Sequence, residues 1–355
     1  MIAFKTEIPA LCFPHELAEM EIDSQADEVR LTVEIDGGTL TLDIYRMEGI
    51  GHKVCRFDEA LRDMMPWWMA KEDGISSLYT VKLTSEDGEG DSVDRTFRLL
   101  RCNVNPGMTA EEYVKARFLT MCGADKVTYP NAVEQLFIYS TEFAGESYSV
   151  RCTYVSEADG CSVVREERRG LQPQKLTDGI FRLDVSPSRF TSTDAEGNIL
   201  RLVAYEVRCG RRVAHYSVRQ AAHPVTLMFS NAFGVMDTLH LPQEPDAEVK
   251  PTRSVATFSG LTRNYRVVPL VELTGRTGPV GPGMAALVAD LCNSTYVTDE
   301  EGRALVLLDQ EVKPTGDTSA LTSCTIKWRY AQERPELLAE VQAKTFDDVF
   351  DESFL

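Results

Sequence analysis

The sequence predicts a mainly β protein with two or three antiparallel β-sandwich-like domains and a few short helices. Apolar and polar residues alternate with a period of two over many segments. Turns rich in acidic residues and glycine separate these segments. The 355 residues exceed the usual size of one hydrophobic core, so more than one domain is expected.

The alternation identifies the strands in chain order. Val29 to Ile35 and Leu40 to Ile44 flank Asp36-Gly37-Gly38, which predicts a β-hairpin. The same pattern covers five further segments, which are 79–83, 148–154, 181–185, 199–207 and 214–218. Antiparallel sheets joined by surface hairpins explain this arrangement most simply.

The first predicted helix has a capping box. The Thr109 hydroxyl and the Glu112 carboxylate can each accept a hydrogen bond from an unpaired backbone N–H of the first helical turn. Apolar residues continue on one face to Met121, and Gly123 supplies a stop signal. We therefore predict a helix that ends near Gly123.

Three other helices are predicted from shorter signals. An apolar stripe after a Pro/Gly-rich turn indicates a helix over roughly 283–292. A second candidate covers 58–65 and ends at Pro66. Pro335 marks the first turn of a last helix.

Two breaks in the pattern, at 103–108 and 220–224, divide the chain into three parts. The segment 241–251 is expected to be a long exposed insertion. We predict an N-terminal β domain over 1–105, a middle β domain with a leading helix over 106–222, and a C-terminal β domain with short helices and an acidic-apolar tail over 223–355.

Composition disfavours several classes of partner. The formal charge is −18, from 37 Lys and Arg against 55 Asp and Glu, which repels nucleic acid. No window approaches the ~18 uncharged apolar residues of a membrane helix, and the N-terminus does not resemble a secretory leader. Nine cysteines without a Cys-x-x-Cys pair fit buried reduced thiols and folding in a reducing cytoplasm.

Catalytic and metal motifs are incomplete. The segment from His15 to Glu19 lacks the second histidine of a zinc-protease helix, and the glycine-rich turn at 278–283 lacks the lysine of a phosphate-binding loop. Paired carboxylates for glycoside hydrolysis stay open, because such partners can be distant in sequence. We predict no catalytic residue, no cofactor and no enzymatic activity.

Two internal segments are candidates for contact. Asp87, Glu89 and Asp91 lie in an acidic turn between two predicted strands; they are weak calcium candidates, and a solvated hairpin tip is the favoured interpretation. Trp67 and Trp68 form the densest large apolar cluster and could stack on a sugar or anchor a partner. Core packing is the alternative, and we favour one tryptophan in the core and one at a surface.

The C-terminal segment alternates acidic and large apolar residues. Phe350, Phe354 and Leu355 are its predicted interaction residues. A segment of this kind is disordered when free and orders by docking on a neighbour, either its own chain or another subunit.

Three stretches carry a family resemblance. Val225–Thr238 ends in the turn Asn231 to Gly234, Met284–Val297 is a helix followed by Asn-Ser-Thr-Tyr-Val, and Cys324–Ala331 is a closing strand. Together they resemble an uncharacterised group of prophage-encoded, tail-associated structural proteins. The resemblance covers mainly the last third of the chain. It implies a tail or virion assembly component made in the bacterial cytoplasm.

The sequence thus favours a non-enzymatic structural or interaction protein. Its expected partners are other protein subunits in a homo- or hetero-oligomer, without nucleic acid or membrane. Its expected location is the bacterial cytoplasm during assembly, and then the virion. The alternative is a carbohydrate-binding or carbohydrate-active protein that uses an exposed tryptophan, and a third possibility is a calcium-dependent adhesion module.

Overall fold

The prediction of a mainly β fold is confirmed. The computed structural model describes residues 2–65, 77–123, 125–141, 148–158, 161–177, 179–194, 197–268, 270–311 and 321–331. In these ranges the chain forms strands β1–β26, helices α1–α3 and two short 3-10 helices. Among the described residues, none of the helices has the length and apolar character needed to cross a membrane.

The N-terminal part contains two sheets around one core. Its elements are β1 (Ala3–Phe4), β2 (Leu11–Cys12), a 3-10 helix (Pro14–Leu17), β3 (Glu19–Asp23), β4 (Glu28–Ile35), β5 (Gly38–Tyr45), β6 (His52–Cys55), α1 (Phe57–Met64), β7 (Leu78–Asp87) and β8 (Ser92–Leu100). The larger sheet has the order β2-β8-β7-β4-β5 and the smaller one β1-β3-β6. Inward-facing residues of both sheets and of α1 share one apolar cluster.

The predicted hairpin and the predicted short helix of this part are both confirmed. Asp36 and Gly37 have φ values of 44° and 86°, so the two-residue turn between β4 and β5 uses the left-handed region at both positions. Helix α1 occupies the segment predicted before Pro66.

The middle part is also a two-sheet arrangement. Its elements are α2 (Ala110–Ala116), β9 (Lys126–Thr128), β10 (Gln135–Tyr139), β11 (Tyr148–Ala158), β12 (Cys161–Gly170), β13 (Gln174–Thr177), β14 (Ile180–Asp184), a 3-10 helix (Pro187–Phe190), β15 (Ser192–Thr193), β16 (Ile199–Cys209) and β17 (Arg212–Val218). One sheet has the order β12-β11-β16-β17-β9, with β15 on β16, and the other β10-β14-β13. The core lies between them.

Helix α2 is shorter than the sequence predicts. Its capping box at Thr109 and Glu112 is present, but the helix ends at Ala116 and the predicted end near Gly123 is wrong. The backbone becomes extended at Arg117, and the Leu119 N–H then donates to the Phe137 carbonyl at 2.9 Å. Burial of Phe118 and Leu119 among residues distant in sequence outweighs the local helical pattern.

The C-terminal part has a helix as its second layer. Its elements are β18 (Val225–Ser230), β19 (Met236–Leu241), β20 (Asp246–Val249), β21 (Thr252–Phe258), β22 (Leu261–Val268), β23 (Val271–Val280), α3 (Pro282–Cys292), β24 (Val297–Asp299), β25 (Ala304–Glu311) and β26 (Thr322–Tyr330). Seven strands form the sheet β19-β18-β24-β25-β26-β23-β20, and apolar residues of α3 share its core. Strands β21 and β22 pair only with each other.

The predictions for this part have mixed outcomes. Helix α3 is confirmed over the predicted segment. The segment 241–251 is exposed over β20, as predicted, but the prediction of an insertion is wrong, because β20 pairs with β23 at the edge of the seven-stranded sheet. The helix predicted at Pro335 lies outside the described residues.

Each sheet takes its strands from one of the three predicted segments, but one apolar cluster takes residues from all three. At its centre lie the rings of Phe13, Tyr113 and Phe233. The centroid of Tyr113 is 5.8 Å from that of Phe13 and 4.8 Å from that of Phe233. The three segments therefore share an interior, and their independence as domains remains a prediction.

Hydrogen bonds hold α2 at both ends of this junction. The Glu16 carboxylate accepts the N–H groups of Phe13 and Ala110, each at 2.8 Å, and so joins the N-terminal part to the start of α2. The buried Arg212 guanidinium donates from Nε to the Val114 carbonyl at 2.6 Å, near the end of α2. Both interactions supply partners for helix-terminal groups that the helix cannot pair itself.

A buried ionic network joins the middle and C-terminal parts. Lys126 Nζ donates to Glu134 Oε2 at 2.9 Å, to Asp237 Oδ1 at 2.8 Å and to Thr238 Oγ1 at 2.8 Å. His240 Nε2 lies 2.8 Å from Glu134 Oε1. All five side chains are buried. Two strands distant in sequence, β9 and β19, are connected in this way.

The opposite charges in this network offset the energetic cost of burying them. Burial lowers the pKa of Lys126, but Asp237 and Glu134 more than offset this effect, so its pKa lies above its ordinary value. Burial raises the pKa of Glu134, and the attraction of Lys126 and His240 reverses the shift to below the ordinary value. Removal of one member would leave the others charged in an apolar surrounding.

Lys126→Met tests this network. It leaves the Glu134 and Asp237 carboxylates buried without their cation, so we expect the free energy of unfolding to fall by about 3 to 5 kcal/mol. Urea denaturation followed by circular dichroism measures the loss. Lys250→Met, which removes an exposed lysine paired with Glu272, is the control and should unfold like the wild type. Equal stability of the Lys126 and Lys250 variants would contradict this assignment.

Candidate functional site

A two-stranded ribbon projects from the seven-stranded sheet and is the candidate functional site. We call β21 and β22 with their turn, Thr252–Val268, the ribbon. Its two strands continue β20 and β23, which pair inside the sheet, and the Lys250 N–H donates to the Leu270 carbonyl at 2.7 Å where the ribbon begins. Seven residues in β21 give a length of about 23 Å beyond that point.

The tip of the ribbon is a tight reversal. Phe258 and Leu261 are opposed, and between them Ser259 and Gly260 have φ values of 51° and 76°. Two consecutive left-handed residues match the twist of a two-residue hairpin. On the next pair inward, the Thr257 and Thr262 hydroxyl oxygens are 2.8 Å apart.

The ribbon exposes large apolar side chains. Five of the sixteen large exposed hydrophobic residues found in the described part of the chain lie on it, and Phe258 is 84% exposed, Tyr265 70% and Leu261 59%. None of its described side chains is buried. Because no described element covers either face, these exposed side chains contribute little to the stability of the fold.

The ribbon is basic in an acidic chain. It contains Arg253, Arg263 and Arg266 and no Asp or Glu, whereas the chain as a whole has a formal charge of −18. Among the ion pairs of the described residues, none involves Arg253 or Arg263. Arg263 faces Ala256 across the ladder, two residues from Leu261 and therefore on the same face as the apolar tip.

Sequence reasoning did not identify the ribbon. The signals were present, since 252–268 has apolar alternation on both sides of Ser259-Gly260 and no acidic residue. Weak alternation of this kind is ordinarily assigned to a half-buried strand, and only the three-dimensional structure shows that side chains on both faces of the ribbon are exposed.

The acidic turn predicted as a weak calcium candidate is the tip of the β7–β8 hairpin. The Asp87 carboxylate accepts the N–H groups of Glu89 at 3.1 Å and of Asp91 at 2.9 Å, so it stabilises the turn itself. Within the ranges that the structure describes, no group of three or more His, Cys, Asp or Glu side chains could hold a metal ion. The candidates Asp87, Glu89 and Asp91 do not form such a group.

The other predicted interaction residues cannot be placed. Trp67 and Trp68 lie outside the described residues, and so do Phe350, Phe354 and Leu355. Their predicted roles as a platform and a docking tail stay predictions.

A polar cavity of about 300 Å³ lies between the end of β8, the β18–β19 turn and the end of α3. Arg101 and Asp290 line it and are only 6% and 7% exposed. Asp290 Oδ1 accepts the Ala232 N–H at 2.9 Å, whereas Oδ2 has no hydrogen-bond partner within the described structure. A guanidinium and a carboxyl group line the same cavity. This pair could bind a small polar molecule whose anionic group pairs with Arg101.

Asp290 carries an unusual protonation equilibrium. Burial raises its pKa to about 7, despite the opposing hydrogen bond from Ala232. A raised pKa means that the folded chain binds the proton of this carboxyl group more tightly than the unfolded chain does.

Comparison with known proteins gives little. No family model and no curated protein matches the chain. Similar solved structures include SGBP-B of the Bacteroides ovatus mixed-linkage glucan utilization locus, in complex with a heptasaccharide, at 11% identity and TM-score 0.17 over 75% of this chain and 69% of that chain. A bacterial 1.5-MDa ice-binding adhesin gives 12% identity and TM-score 0.17 over 93% and 97%. A Ca²⁺-stabilized adhesin of an Antarctic bacterium gives 12% and 0.14 over 93% and 98%. TM-scores this low support no inference about fold or function.

Asp290→Asn tests the raised pKa. In the wild type, the contribution of Asp290 to stability falls as pH rises from about 4 to about 7, because the unfolded chain releases the Asp290 proton first. The amide of the variant keeps the acceptor for the Ala232 N–H and does not ionise. The free energy of unfolding of the variant relative to that of the wild type should therefore be about 2 to 3 kcal/mol higher at pH 8 than at pH 5. Urea denaturation at the two pH values measures it. Asp63→Asn, at an exposed position of α1, is the control. A difference that does not change with pH would contradict the prediction.

Proposed function

We propose that this chain is a non-enzymatic interaction protein and that the ribbon is its principal contact with another protein. The observation that carries the proposal is the combination of an exposed apolar tip with three arginines on a strand pair that no other element of the described ranges covers. Surface patches of this composition are typical of protein contacts, since aromatic residues and arginine are enriched in interface centres.

The energetics favour contact over a role in the fold. Burial of a phenylalanine or leucine side chain contributes about 1.5 to 3 kcal/mol. Phe258 and Leu261 gain almost none of this within their own chain, because both are mostly exposed. A partner that covers them would gain it.

The backbone of the ribbon offers a second mode of contact. Strands β21 and β22 each have one edge whose N–H and C=O groups pair with no other strand of the described chain. An unpaired edge can bind an extended segment or another edge strand by adding it to the sheet. Main-chain pairing would supply affinity, and the side chains at the tip would supply specificity.

The biological setting is part of the proposal. The resemblance of Val225–Thr238, Met284–Val297 and Cys324–Ala331 to prophage-encoded, tail-associated proteins suggests that the partner is a subunit of a phage tail or related particle. Assembly in the bacterial cytoplasm and incorporation into a virion follow from the same resemblance.

Site-specific photocrosslinking tests the role of the ribbon. A photoreactive residue at position 258 should give covalent adducts with a protein in cells that make the chain from its own locus. The same residue at Ile199, which is 80% exposed but lies outside the ribbon, is the control and should give none. Equal yields at the two positions, or no adduct at position 258, would argue against the proposal.

A further inference from the structure

We propose that the ribbon binds a second copy of this chain, and that a cleft beside β5 receives its tip. This inference rests on the proposed function and names the partner. It makes the contact heterologous, because the ribbon and the cleft are different surfaces of the molecule.

Charge favours a like chain as the partner. The ribbon carries three positive charges and no negative charge, so the rest of the chain is three units more negative than the −18 of the whole. Approach of a basic ribbon to the acidic body of another copy is electrostatically attractive and should weaken with salt.

The cleft lies in the connection between β5 and β6. It has a volume of about 510 Å³ and is lined by Asp27 and by residues 46–51. Met47 is 54% exposed and Ile50 53%, and the carboxylates of Asp27 and Glu48 are at the same site. Arg46 also lines the cleft, so the two carboxylates and one guanidinium leave it one unit negative. The cleft thus offers apolar surface for the tip of the ribbon and a net charge opposite to that of the ribbon.

The strand next to the cleft is an edge strand, and its outer side pairs with no strand of the described chain. Strand β5 is the outer strand of the order β2-β8-β7-β4-β5, and Tyr45 at its end is exposed. Natural edge strands are ordinarily protected by charged side chains, especially lysine, by proline or by a bulge. Strand β5 contains no lysine or proline, and its one charged residue, Asp43, is paired with Arg30 of β4. Its pairing with β4 runs without a register shift, so no bulge interrupts it.

The two surfaces match in chemistry. Phe258 and Leu261 can fill the cleft against Met47 and Ile50, while Arg263 on the same face approaches Glu48. One copy then uses its ribbon on the second copy, whose own ribbon stays available for a third. A heterologous contact of this kind gives a ring if the rotation closes and an open chain of subunits if it does not.

Mixing two complementary variants tests the contact. The ribbon variant carries F258S, L261S and R263E and keeps its cleft, and the cleft variant carries M47S, E48K and I50S and keeps its ribbon. Light scattering coupled to size-exclusion chromatography should show wild-type oligomers that grow with concentration, and each variant alone as a monomer. An equimolar mixture should form a dimer, because one functional ribbon meets one functional cleft.

Salt and folding controls accompany the mixture. The wild-type association constant should fall by roughly tenfold or more between low and high ionic strength. The far-ultraviolet circular dichroism and the Tm of both variants should equal those of the wild type at a concentration where the wild type is monomeric, because all six substituted side chains are exposed. The dimer of the mixture also shows that both variants fold.

Three results would overturn the inference. They are a monomeric wild type at all concentrations, a variant that oligomerises alone, and a mixture that stays monomeric while both variants fold. Adducts from position 258 to a different protein in cells, together with a monomeric wild type, would overturn the second-copy partner and leave the proposed function standing. Absence of any adduct would instead contradict the proposed function itself.

Discussion

The structure depends on the packing of one short helix between three parts of the chain. Tyr113 of α2 lies between Phe13 of the N-terminal part and Phe233 of the C-terminal part, with ring centroids 5.8 Å and 4.8 Å away. Glu16 and Arg212 bind the two ends of the same helix. The Arg212 contact is buried and the Glu16 contact is partly buried, and a buried polar group is tolerated only when it is paired. The junction therefore defines how the three sheet systems meet, and the Lys126 network adds a second buried connection between β9 and β19.

The chain has two sets of apolar residues, one buried in its interior and one exposed on the ribbon. The inward-facing apolar residues of the sheets form four internal clusters. The ribbon shares none of them, although it continues two strands of the C-terminal sheet. A hairpin isolated in water is marginally stable, so the pairing of β20 and β23 inside the sheet is what supports the ribbon at its base. The body of the protein can thus present an apolar, basic tip to a partner without losing its own core.

The sequence predicts the local elements well and the long-range ones poorly. The turn at Asp36-Gly37, the capping box at Thr109 and the apolar stripe of α3 are local signals, and the structure confirms each of them. The end of α2 was mispredicted because burial of Phe118 and Leu119 involves distant residues. Glu16 is part of an incomplete zinc motif in the sequence, but in the structure it binds the N-terminus of α2, 94 residues away. Sequence periodicity reports local structure and does not predict such long-range contacts.

At the candidate site, too, the sequence predicts local features and misses those that depend on long-range packing. The acidic turn at 87–91 was located correctly as a hairpin tip, because charge and glycine content are local properties. The ribbon was missed, since alternation alone does not reveal whether any layer covers a strand. The contact residues of the ribbon became visible only through their exposure.

The most direct test of the central claim, that the ribbon is the element through which copies of this chain associate, is hydrogen exchange measured by mass spectrometry on dilute and concentrated wild-type protein. The account predicts slower exchange on concentration for peptides from 252–268 and 38–51, and unchanged exchange for peptides from β18 and β19. Unchanged exchange over 252–268 in a sample that has associated would contradict it.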